Sequence, residues 1–188
     1  SMSAPNTSGS LVLLQEHYHL KYGRFMLSST LKGLVCHTAD EAGNPGPDYR
    51  FGWGLLNAKR AAEAISNNGS SSLIEEIAMS NGQTITREVV ASGTEPMIIS
   101  ICWTDPEAEP LPINPTVLNN RTPRLVNDLD LRVSDGNQTF LPWRLDPENP
   151  EANATRGDNT VDNIEQVLIE HPVPGKTYTI TITHKKDQ

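Results

Sequence analysis

At about Leu73 the spacing of apolar residues changes from helical to twofold, and this change constrains the fold more than any other feature of the chain. Before it, Leu11, Leu14 and Tyr18 recur at helical spacing with Val12 beside them. They predict a helix over about 5–22, with Pro5 in the first turn and Gly23 as the stop. A second helix is expected over about 28–38, with Ser28 or Ser29 as N-cap and Leu31, Leu34 and Val35 facing inward. Residues 39–48, rich in Gly, Pro, Asp and Asn, read as a loop. A third helix is expected over about 56–65, with Asn57 as its cap and Ala58, Ala61, Ala62 and Ile65 on one face. The run Asn68-Gly69-Ser70-Ser71-Ser72 then reads as a linker.

After the change, the segments 85–90, 97–103, 129–133, 165–169 and 178–184 alternate as strands do. Ser134-Asp135-Gly136-Asn137 and Pro174-Gly175-Lys176 punctuate them as turns. Short strands with no helices between them imply an antiparallel β-sandwich or jelly roll. The expected class is therefore α + β, a short helical segment followed by a sandwich. The expected division is 1–67, a linker at 68–72, and 73–188.

Charge and composition exclude several functions. Fifteen Lys and Arg stand against 23 Asp and Glu, a net charge of −8, in a chain of 188 residues. Nucleic acid rewards the opposite balance, so no nucleic-acid partner is expected. No apolar run is long enough to span a bilayer. Cys36 and Cys102 form one bridge or stand as two buried thiols, and their spacing suits no metal site.

The helical part reads as incomplete. Its first helix is apolar around much of its start and carries Ser3, Ala4, Ser8, Gly9 and Ser10, small residues that let a neighbouring backbone approach. Ser1-Met2-Ser3-Ala4-Pro5 resembles the end of the motif around the nucleophile of subtilisin-like serine peptidases. The stretch from Asp48 to Ala58 (Asp-Tyr-Arg-Phe-Gly-Trp-Gly-Leu-Leu-Asn-Ala) resembles the Gly-x-Gly-x-x-Asn-Ala segment before the last helix of that peptidase core. Trp103-Thr104-Asp105, Val126 to Leu131, Asp162 to Val167 and Gly175 to Ile180 are similar to the jelly-roll domain that follows the core in some larger secreted subtilases.

The resemblance implies a serine endopeptidase whose nucleophile is Ser1. A serine hydroxyl needs a general base and an orienting carboxylate, which in this family precede the nucleophile in the chain. None of the five histidines falls in a family motif. The chain is therefore expected to be the C-terminal part of a peptidase, inactive alone. Its expected partners are the N-terminal part of the core and, in the intact enzyme, a peptide or protein substrate. The resemblance also implies a secreted or cell-envelope location. The competing reading is a non-catalytic β-sandwich binding or adhesion module with a helical cap.

Asp105, Asp128, Asp130, Asp158, Asp162 and Glu165 are expected at strand ends or turns. Asp128 and Asp130, two residues apart, share a strand face and need a cation between them, either a metal ion or Arg124 or Arg132. The residues alone suit a solvated acidic edge. The resemblance adds Ca²⁺, with Asp105, Asp128 and Asp130 as its first ligands. Trp103 is expected to be buried and Trp143 to be an exposed aromatic platform.

Overall fold

The computed structural model describes residues 1–118 and 120–185. The chain forms two compact units, Ser1–Ala78 and Met79–Gln188. The class is α + β with a β-sandwich-like part.

The first unit holds three helices: α1 (Ser3–Tyr22), α2 (Ser28–Thr38) and α3 (Ala58–Ser66). Gly23 ends α1 in the left-handed region at φ 70°, where its N–H reaches the carbonyl of His19. Asn57 caps α3, its side chain accepting from the N–H of Arg60 at 2.9 Å. Leu14, Tyr18, Met26, Leu34, Ala61 and Ile65 form the core, and Ile74 packs against it.

At α2 the expected serine cap is absent. The N-cap is Leu27, in extended conformation, with no side-chain cap bond. Glu76 takes over that role from far along the chain. Its carboxylate accepts from the N–H of Leu27 at 2.9 Å and the hydroxyl of Thr30 at 2.6 Å, and it pairs with Arg24. A negative charge there also suits the positive end of the helix dipole. The segment read as a linker belongs to the helical unit by its own bonds. Ser72 Oγ donates to the carbonyl of Ala64, and Asn68 Oδ1 accepts from the N–H of Ile74.

The second unit is antiparallel throughout. Its strands are β1 (Thr84–Val90), β2 (Met97–Cys102), β3 (Leu129–Ser134), β4 (Thr139–Phe140), β5 (Trp143–Arg144), β6 (Thr155–Arg156), β7 (Ile164–Ile169) and β8 (Thr177–His184). One sheet runs β1-β8-β3-β4, while β2 pairs with β7 and β5 with β6. Leu131 and Val133 of β3, Val167 and Ile169 of β7, Tyr178 of β8 and Ala91 form the buried core, with Ile99 and Ile101 of β2 against it. Sequence alternation located the five longer strands. The two-residue strands β4, β5 and β6 are too short to show a period.

Neither cysteine is in a disulfide: Cys36 lies in the first unit, Cys102 in the second, and each is half-buried. Among the described residues no helix is long and apolar enough to cross a membrane.

Candidate functional site

Ser1 lies two residues ahead of the first residue of α1, is exposed, and hydrogen-bonds to none of the described residues. The N-cap, Met2, supplies no side-chain bond to the helix start. No side chain caps the first turn of this 20-residue helix, where Pro5 has no N–H and Asn6 donates to the Met2 carbonyl at 3.3 Å, and a helix start of this kind favours negative charge. Ser8 and Ser10 turn their hydroxyls back onto the carbonyls of Ala4 and Asn6 at 3.0 Å, so they offer the surface little polarity.

The helix carries two apolar stripes. Leu11, Leu14, Tyr18 and Tyr22 face the core. On the opposite side Met2, Val12, Leu13 and Leu20 are 87%, 67%, 65% and 77% exposed. With Pro5 and Gly9 they fall within an arc of about 100° at 3.6 residues per turn, which the exposed Glu16 interrupts near its middle. A helix apolar on both sides is built to be covered on both sides.

None of the three histidines of this unit hydrogen-bonds to Ser1. His17 and His19 lie at least about 24 Å further along at 1.5 Å per residue. His17 is bonded to Ser66 Oγ at 2.9 Å, and His19 stacks on Phe25. His37 in α2 is held neutral, its pKa lowered to about 4 by burial and then by the Arg60 charge.

The loop before α3 is fixed by carboxylates. Asp40 and Leu55 exchange both backbone bonds at 2.8 Å, and the amide of Asn57 donates to both Asp40 oxygens, at 3.0 and 2.9 Å. Gly54 sits there at φ 106°, where a Cβ would run into the Asp40 carbonyl. Asp48 accepts from the N–H groups of Phe51, Arg50 and Asn44 at 2.6, 2.8 and 3.0 Å. Those bonds, led by Phe51, hold its carboxyl below the usual range. The segment from Asp48 to Asn57 is therefore a rigid double turn leading into α3.

In the β unit, the three aspartates expected to hold Ca²⁺ serve different structures. Asp105 caps a turn, accepting from the N–H groups of Val126 and Asn127 at 2.7 and 2.8 Å and from the Asn127 amide at 2.9 Å. Asp128 and Asp130 share a cation, as like charges on one face require, and that cation is Lys185. Its Nζ lies 3.1 Å from each and 2.9 Å from Asp158. Arg132 adds bonds of 2.7 Å to Asp130 and 2.6 Å to Asp158. Arg132 was one of the two arginines the sequence offered for this charge, whereas Arg124 stays exposed. Lys185 was not foreseen, because β8 carries it beside β3 only once the strands pair. Among the described residues no group of three or more His, Cys, Asp or Glu is placed to hold a metal ion. With ammonium and guanidinium already between the carboxylates, this donor set does not fit calcium.

Charges follow from those contacts. Burial pushes the carboxyl of Asp130 up, and its bond with Asp158 adds to this. For Asp158 burial acts upward too, but bonds from Asp130, Lys185 and Arg132 outweigh it and leave the carboxyl well below the usual range. Lys185 is correspondingly held charged.

A groove of about 520 Å³ lies in the β unit, with Phe140, Trp143, Arg156, Leu168, His171 and Tyr178 among its lining residues. Trp143 is not the exposed platform that its polar neighbours in sequence suggest. It is 8% exposed, and the Arg156 guanidinium lies 3.2 Å from its ring centroid. Trp103 is buried as expected, its indole N–H donating to the Asn127 carbonyl at 3.0 Å.

The model of the subtilase family of peptidases matches residues 1–54. That stretch holds Ser1, α1, α2 and most of the double turn, including Gly54. It relates the helical unit to subtilisin-like serine peptidases.

Proposed function

We propose that this chain is the C-terminal portion of a secreted subtilisin-like serine endopeptidase, with Ser1 as nucleophile and the β unit as an accessory jelly-roll domain. The observation that carries the reading is the family match over 1–54, which begins at Ser1 just ahead of a helix whose first turn no side chain caps. The bare stripe of Met2, Val12, Leu13 and Leu20 supports it, because a peptidase core would cover that face.

In this reading Ser1 Oγ attacks the scissile carbonyl carbon while its proton passes to a histidine base. The carbonyl oxygen becomes an oxyanion beside the helix N-terminus, where backbone N–H groups stabilise it. The tetrahedral centre collapses, the C–N bond breaks, and the leaving amine takes the proton from the base. Water then hydrolyses the Ser1 ester by the same steps. The histidine and its orienting aspartate come from another segment of the core, so the chain alone is inactive.

The test is a longer chain that adds the coding segment upstream of Ser1. It should hydrolyse a peptide substrate and be labelled at Ser1 by a fluorophosphonate. Ser1→Ala should abolish labelling and lower kcat by about 10⁶-fold, the loss that follows removal of a triad nucleophile. Full activity in Ser1→Ala would end the reading. The second reading, a binding module with a helical cap, is favoured by the groove of about 520 Å³, which the peptidase chemistry does not use. Under it Ser1 stays unlabelled.

A further inference from the structure

Glu165 is the most deeply buried carboxylate of the β unit, 1% exposed, on the same side of β7 as the core residues Val167 and Ile169. Its Oε2 accepts a 2.6 Å bond from the N–H of Leu131. In the ladder, β4 covers only Val133 and Ser134 of β3, so this N–H lies beyond the end of β4. Glu165 thus closes an open stretch of β3 with a side chain from β7. Its Oε1 is buried and has no partner.

The surroundings do not favour a charge there. From β3 and the residue before it come Asp128, Asp130 and Arg132, whose Nη1 is 3.9 Å from Oε2. From the end of β8 come His184 and Lys185, and from the loop before β7 comes Asp158. Arg144 stands on β5, β4 has no charged residue, and β2 places Ile101 opposite Glu165. The two cations of this cluster, Arg132 and Lys185, already serve three other carboxylates. A fourth negative charge in this cluster would be buried with one oxygen unbonded.

We propose that Glu165 is a proton-dependent latch of the β unit: its carboxyl joins β7 to β3 while neutral, and ionisation buries an uncompensated charge that drives the join open even though a carboxylate is the stronger acceptor for the Leu131 N–H. Burial first of all, with the Asp130 and Asp158 charges acting the same way, pushes the Glu165 carboxyl up to about 8, against the Leu131 bond and Arg132. The sign follows. Above the ordinary glutamate value of 4.5 the unfolded chain has lost this proton, while the folded unit keeps it until about pH 8. The folded state then holds more protons, so the unit loses stability as pH rises through that window and is firmest on its acid side.

The test uses ¹³C-labelled full-length chain, following the Glu165 side-chain carboxyl carbon from pH 4 to 9.5 with through-bond assignment. The latch requires this carboxyl to be protonated at pH 7, and a carboxyl ionised at pH 7 overturns it. In a Trp53→Phe background, urea unfolding reported by Trp103 and Trp143 gives the second arm. Glu165→Gln should be more stable than Glu165 at pH 8.5, with a gap in unfolding equilibrium constant that closes by up to about a thousandfold toward pH 4.5. A gap that stays constant with pH overturns the proposal. If Glu165→Gln does not fold, the carbon titration decides by itself.

Discussion

The two units bury apolar residues in different ways. The β unit closes on itself: Leu131, Val133 and Val167 are wholly buried, and strands of two sheets share one core. The helical unit has its own core around Tyr18 and Ile65, yet α1 turns a second apolar stripe outward. The same chain therefore contains one unit whose strand core is covered, its exposed large apolar residues lying in loops and at the end of β1, and one whose first helix carries more apolar surface than its own three helices cover. Where a helix is apolar on both sides, the surplus side points to something that the unit itself does not supply.

The comparison predicts unequal responses to substitution. Leu131→Ala, at a wholly buried core position, should destabilise the β unit by about 2–5 kcal/mol. Urea unfolding read at Trp103 and Trp143 measures this, and a loss under 1 kcal/mol would mean that the sandwich core is looser than it looks. Glu76→Ala removes the acceptor shared by the Leu27 N–H, the Thr30 hydroxyl and Arg24. It should cost the helical unit about 1–3 kcal/mol, seen as a lower midpoint in the far-ultraviolet dichroism of the helices. Leu13→Lys should change stability by no more than about 0.5 kcal/mol while reducing binding of an apolar dye. A large loss of stability there would show that the outer stripe is already covered.

Much of the architecture was legible in the sequence because it rests on local rules. The helical spacing of Leu11, Leu14 and Tyr18, the stop at Gly23 and the Asn57 cap each depend on residues within a turn or two. The alternation in β8, with Thr between Tyr178, Ile180 and Ile182, likewise follows from the pleat alone. The need for a cation beside Asp128 and Asp130 was legible too, since their spacing on a strand imposes it.

What the sequence by itself determined, then, was the period of each segment, the change of class near Leu73 and the sign of the charge that the paired aspartates required. Only the tertiary structure decided which groups met that requirement. Lys185 became their cation because β8 pairs beside β3. Glu76 became the cap of α2 from a stretch that the sequence assigns to the sandwich, and Arg156 came to cover the ring of Trp143. Glu165 acquired its altered acidity because folding took it out of water into a cluster whose cations were already engaged. In each case the deciding interaction joins residues distant in the chain. Its strength depends on distance and burial, and neither exists until the fold has formed.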